Sequence, residues 1–140
     1  MTQTTVSMLQ LKLGPFCRRL AGVLKDPVVL LSGSMALGES TPLSDVDLVV
    51  IAGFQKPFLE RLGELALLNE TGLPLEILGY TRDEFIDMLD RLNALAIEAL
   101  EFGIPIMRGA YYAELRQRLM ELKGLGLKRT NCTYLLESNR

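Results

Sequence analysis

Two aspartates separated by one residue, Asp45 and Asp47, stand at the head of an unbroken apolar run, Leu48-Val49-Val50-Ile51. The run reads as a buried strand, and on a strand residues two apart point to the same side. Asp45 and Asp47 therefore share one face, roughly 7 Å apart at Cα, while Val46 and Leu48 point into the core. Like charges held this way disfavour joint ionisation unless a cation sits between them. Magnesium answers that need, because it prefers carboxylate and phosphate oxygens and is usually bound by one or two side chains plus substrate. Two such ions about 3.5–4 Å apart clamp the attacking and leaving oxygens of a phosphoryl displacement.

Upstream, Gly33-Ser34 interrupts a second apolar run, Val28-Val29-Leu30-Leu31. Ser34 can cap a short helical turn through Leu37 that Gly38 ends. A glycine turn entering a helical N-terminus exposes backbone N–H groups beside a serine hydroxyl, and together these make an anion site. Taken alone, Gly33-Ser34 is also an ordinary helix cap, and the aspartates alone are also strand-start caps. A phosphate cradle after one strand with metal ligands on the next is a nucleotide-handling arrangement.

Gly33-Ser34, ten intervening residues and then Asp45-Val46-Asp47 resemble the signature of the polymerase-β-type nucleotidyltransferase superfamily. The longer stretch GSMALGESTPLSDVDLVV is similar to the minimal nucleotidyltransferases of prokaryotes, which often act as antitoxins to a helical HEPN-type partner. The resemblance is carried by residues 28–51, thinly by 74–85, and not by the rest. It implies Mg²⁺-dependent transfer of a nucleoside monophosphate, AMP from ATP first, to a hydroxyl. The acceptor it implies is a tyrosine or other hydroxyl on a partner toxin, with a small molecule such as an antibiotic second. Asp45 and Asp47 then hold Mg²⁺, in a two-ion site, and Gly33 and Ser34 seat the triphosphate.

Members of that superfamily use a third carboxylate on a neighbouring strand, usually an aspartate. Glu76 is the candidate here, as the only acid within Leu73 to Leu78. It could take the proton of the attacking hydroxyl or complete the second metal's coordination; the alternative is an exposed glutamate at a strand edge. Met35 and Leu37 stand where relatives often carry arginine, so one phosphate contact is missing. Lys128 and Arg129 could supply charge, but a solvated tail is the preferred reading. These departures keep a second function open: a catalytically inactive domain that neutralises a toxin by contact alone.

The elements that must position these residues follow from punctuation and periodicity. Residues 1–7 are polar and read as frayed, and Pro15 suits the first turn of a helix carrying Phe16, Leu20, Val23 and Leu24. Asp45 to Ile51 forms the second strand. Pro57 opens a helix through Leu62, Leu65, Ala66 and Leu68 that Thr71-Gly72 stops. Leu75 to Leu78 is a third strand, and Thr81 with Glu84 makes a capping box for a helix bearing Phe85, Ile86 and Leu89. Asp90 to Phe102 continues or restarts that helix. Ile104 to Met107 is extended, and Tyr111 to Lys123 is a last amphipathic helix. Strands alternating with helices give an α/β (α+β) fold, a small mixed central sheet flanked by helices, in a single domain over 1–140.

Composition narrows the partners. With 140 residues, the chain buries roughly 70% of its unfolded surface without a disulfide or structural metal. A net charge of −2 provides no basic field for duplex nucleic acid. The absence of histidine excludes it as base or ligand. Cys17 and Cys132 are too far apart for a zinc pattern and read as reduced thiols of a cytoplasmic protein. No signal peptide and no apolar run near the ~20 residues of a membrane span is present. At 49% hydrophobic the chain has an aliphatic surplus, and the helices around Leu62–Leu68 and Leu92–Leu100 are apolar over more than one face. That predicts a homo-oligomer, or by resemblance a heteromer with a HEPN-type protein.

Overall fold

The central strands of the main sheet are built on short aliphatic runs, Val28 to Leu31 and Leu48 to Ile51. The computed structural model describes residues 3–33, 46–130 and 133–137. The chain runs α1 (Gln3–Val23), β1 (Val28–Ser32), β2 (Val46–Ile51), α2 (Phe58–Leu67), β3 (Leu75–Tyr80) and α3 (Arg82–Asp90). It continues through α4 (Ala94–Glu101), β4 (Ile104–Met107), α5 (Tyr112–Gly124), β5 (Leu127–Thr130) and β6 (Thr133–Leu136). Four strands form one sheet in the order β3-β2-β1-β4. β1 is antiparallel to β2 and β4, whereas β2 and β3 are parallel. The expected mixed sheet flanked by helices is therefore present.

The two central strands are covered on both faces, which is why they read as continuous apolar runs. Val29, Leu31, Val46, Leu48 and Val50 pack beneath α1 against Leu13, Phe16 and Leu20. Val28, Leu30, Val49 and Ile51 face α3, α4 and α5 through Phe85, Leu89, Ile97, Leu115 and Leu119. Burial of each such aliphatic side chain contributes about 1.5–3 kcal/mol, so these two layers fix the strands that carry the site. Helix boundaries follow local chemistry. Thr81 and Glu84 close the expected capping box at the start of α3. Leu92 takes a positive φ of 59°, and Asn93 then caps α4 through Ala96 N, so the chain restarts a helix here rather than continuing one.

Two expectations are corrected. α1 begins at Gln3, not at Pro15, which lies inside it. The 3.6-residue period already runs through the buried Leu9 and Leu13. Pro15 and Leu11 are both on the exposed side, so the Leu11 carbonyl that loses its N–H partner can use water. The segment after Gly124, read as a solvated tail, folds into the β5–β6 hairpin, with Leu127 paired to Leu136 and Arg129 to Tyr134. Gly126 permits it: its φ is 94°, and a Cβ there would collide with the Glu137 carbonyl. Lys128 pairs with Glu137 at 3.4 Å and Arg129 with Glu98 at 3.9 Å. Cys17 is free and buried, while Cys132 lies outside the described residues. No described helix is long and apolar enough to cross a membrane.

One buried charge ties α2 to β3. Arg61, only 6% exposed, donates to Glu84 Oε1 at 2.6 Å, to the Lys56 carbonyl at 2.6 Å and to the Gly79 carbonyl at 3.3 Å. Its guanidinium also lies 5.2 Å from the Phe54 ring centroid. The hydrogen bonds from Arg61, then from the Thr81 backbone, hold the Glu84 carboxyl below its ordinary value against the opposing effect of partial burial. A depressed carboxyl contributes stability above its unfolded-state pKa and loses it as pH falls through the folded-state value. Glu84→Gln is therefore expected to cost about 1 kcal/mol at neutral pH, allowing for solvent at Glu84. Denaturant titrations should show that difference closing below the ordinary glutamate value of 4.5, whereas a gap unchanged from pH 7 to pH 3 would contradict the pairing.

Candidate functional site

Three neighbouring strands place one row of polar side chains at one end of the sheet. Ser32 on β1 is the register partner of Asp47 on β2, and Asp47 is the register partner of Glu76 on β3. Residues directly opposite in a ladder share a face, so the three side chains line up across the sheet. They continue the face formed by Leu30, Val49 and Ile51, beyond the point where the helices stop filling it. Ser32, Asp47 and Glu76 all line one cavity of about 310 Å³.

Gly33 fits against the Asp47 carboxylate. Its φ is 69°, a conformation side chains rarely adopt, and a Cβ built there would collide with Asp47 Oδ2 and lie 3.1 Å from Cγ. A glycine is thus required both by the turn and by the closeness of the carboxylate. Asp47 is partly buried and engaged in the folded chain. Glu76 is an exposed glutamate on the edge strand, and it lines the cavity beside Asp47. Ser34 and Asp45, the remaining expected site residues, lie outside the described residues.

Helix α4 makes the opposite wall. Leu95, Glu98, Ala99 and Phe102 line the cavity, with Val49 and Leu78 on its floor. The second apolar side of this helix therefore faces the cavity as well as the core. Glu98 is the charged group of that wall and is held by the β5–β6 hairpin. The Tyr134 hydroxyl lies 3.5 Å from Glu98 Oε1, and Arg129 Nη2 lies 3.9 Å from the same oxygen. Partial burial, then the Glu98 charge, pushes the Tyr134 phenol up, which keeps it a hydrogen-bond donor. Sequence reasoning missed Ser32, Glu98 and the hairpin. Ser32 was legible in principle, since it sits in register two residues beyond Leu30, whose face is buried.

The donor set suits a hard cation. Asp47 and Glu76 bring carboxylate oxygens to adjacent strand positions, and the chain has no histidine to compete. Among the described residues no group of three or more His, Cys, Asp or Glu side chains gathers. Magnesium is a hard cation of that kind: it takes one or two carboxylates and completes its shell with water and phosphate oxygens.

A family model described as nucleotidyltransferase domain matches residues 15–103. The chain belongs to that family. No curated protein matches the sequence. Among solved structures, a chain in a crystal structure of a toxin–antitoxin with AMP-PNP is similar, with a TM-score of 0.53 and 14% identity. That match covers 82% of this chain and 86% of the other, and at such identity it speaks to the fold.

The contact between Gly33 and Asp47 is directly testable. Gly33→Ala is expected to destabilise the chain by about 1–2 kcal/mol through its positive φ, and further through the collision with Asp47. In an Asp47→Ala background the second part should vanish, giving a coupling of about 1 kcal/mol in a double-mutant cycle of urea denaturation. Strict additivity of the two substitutions would contradict the contact.

Proposed function

We propose that this member of the nucleotidyltransferase family transfers a nucleoside monophosphate, AMP from ATP, to a hydroxyl acceptor within a single domain spanning the chain. The observation that carries the proposal is the in-register Asp47–Glu76 pair lining one cavity with Gly33 against it. In the transfer the acceptor oxygen bonds to the α-phosphorus, the α–β phosphoanhydride bond breaks, pyrophosphate leaves, and the hydroxyl proton goes to Glu76. Asp47, with Asp45, would hold Mg²⁺ in a two-ion site, which would supply charge neutralisation at the phosphates. Gly33 leaves room for the phosphate, and Ser34 donates to it. The apolar lining of Leu78, Leu95 and Phe102 offers contact surface to the nucleotide.

The acceptor lies on another protein in this account, a HEPN-type helical toxin in the cytoplasm, for which the chain acts as antitoxin. Exposed Leu59 and Leu67, 78% and 81% accessible on α2, offer apolar surface for such a partner or a second copy. The structural neighbour belongs to a toxin–antitoxin complex solved with AMP-PNP, which supports a toxin as partner and ATP as the nucleotide. A second function, neutralisation by contact without transfer, is favoured by the glutamate in place of the customary aspartate and by the lack of a basic residue between Lys25 and Lys56.

Two substitutions separate the roles. Asp47→Asn should remove most Mg²⁺-dependent ATP binding in calorimetric titration; unchanged binding would overturn the metal role. Glu76→Gln should lower transfer of label from the α-phosphate of ATP by about 10²–10⁴ while leaving nucleotide affinity in place. Transfer at the parent rate would make Glu76 structural, and parent binding with no transfer to any co-expressed partner would leave neutralisation by contact as the function.

A further inference from the structure

The cavity is acidic where its proposed substrate is acidic too. Its described charged lining is Asp47, Glu76 and Glu98, with no basic side chain among the described lining residues. Between Lys25 and Lys56, a stretch that includes β1, β2 and their connection, the sequence has no lysine or arginine. A triphosphate brings about four further negative charges, and one or two divalent ions do not balance it and three carboxylates together. The charge must be met from outside that stretch.

Arg129, on β5, is a basic group that pairs with a residue of the cavity wall. It is 57% exposed on its side chain and touches the cavity wall through one long ion pair, 3.9 Å to Glu98 Oε1. That distance exceeds a hydrogen bond, so the five guanidinium donors are nearly unused among the described residues. An exposed pair of this kind is worth little and is readily exchanged for a better partner. Phosphate oxygens are such a partner, because they accept the planar guanidinium fork in a bidentate way. The strand is anchored for the purpose: Leu127 and Tyr134 pack on the core, and Tyr134 also holds Glu98.

We infer that Arg129 binds the phosphate groups of the nucleotide, exchanging Glu98 for them, and that Glu98 holds the arginine at the cavity when no nucleotide is there. This rests on the nucleotidyl-transfer function proposed above and adds to it the hairpin's cation. The arrangement has an uncommon signature, since the two members of one ion pair act on binding in opposite directions. Removing the arginine loses an attraction to phosphate. Removing the glutamate charge loses both a competitor for the arginine and a repulsion.

Calorimetric titration of Mg–ATP into the full chain tests this, comparing parent, Arg129→Ala, Arg129→Lys, Glu98→Gln and Asp47→Asn. Arg129→Ala should weaken binding by roughly tenfold or more, with a smaller salt dependence, and Arg129→Lys should recover part of it. Glu98→Gln should bind at least as tightly as the parent. If the ion pair only braces the hairpin, Arg129→Ala and Glu98→Gln will weaken binding alike and lower the melting temperature alike, and the inference is overturned. Parent-like binding by Arg129→Ala, in a chain whose binding Asp47→Asn abolishes, overturns the inference and leaves the transfer function standing. A parent that binds no Mg–ATP overturns both.

Discussion

Parallel pairing of β2 with β3 sets Asp47 opposite Glu76, and the rest of the site depends on that register. Side chains alternate along a strand, so a slip of one residue would turn Glu76 to the α1 face and bring Leu75 or Ile77 toward the cavity. Two devices hold the register. Ile77, Val46 and Leu48 are buried in the layer under α1, whereas Val49 and Ile51 are buried in the opposite layer, so neither strand can shift without exposing apolar surface. Arg61 adds a polar lock at the far end of β3, bonding the Gly79 carbonyl and Glu84 at once. α2, β3 and the start of α3 are thereby joined at one guanidinium.

The same geometry sets the electrostatic problem that the site answers. Carboxylates directly opposite on neighbouring strands repel, and the fold tolerates them because Glu76 lies on an exposed edge strand. Gly33 then admits the Asp47 carboxylate where any side chain would displace it. On the other side of the cavity Glu98 has Arg129 and Tyr134 for partners, so the third acid is compensated by a hairpin distant in sequence. A glycine turn, edge exposure and a remote cation are the means by which an otherwise aliphatic domain keeps three acids around one cavity.

The strands and the central acid were legible because their chemistry is local. Four-residue aliphatic runs, the Gly33 break and the Thr81–Glu84 box each carry their meaning within a few residues, and all three recur in the structure. What escaped was long-range. Arg61 sits on a helix whose apolar spacing advertised leucines, and only the tertiary fold brings it to Glu84. The strands LKRT and TYLL are short, partly charged and largely exposed, so composition favoured a tail over a hairpin. Pro15 pointed to a helix start, although solvent on that side of α1 lets the helix run through it. Asp45 and Ser34 were equally legible as motif residues and fall outside the described segments.

The central claim is that β2 and β3 act jointly, with Asp47 and Glu76 facing one bound metal–nucleotide. Paramagnetic broadening of backbone amides by Mn²⁺, titrated with a non-hydrolysable ATP analogue, reads this without relying on turnover. The account predicts that the amides of Gly33, Asp47 and Glu76 broaden together at the lowest Mn²⁺ concentrations, with those of α1 and α2 spared. Broadening centred away from the Asp47–Glu76 pair, or confined to one of the two strands, would contradict it.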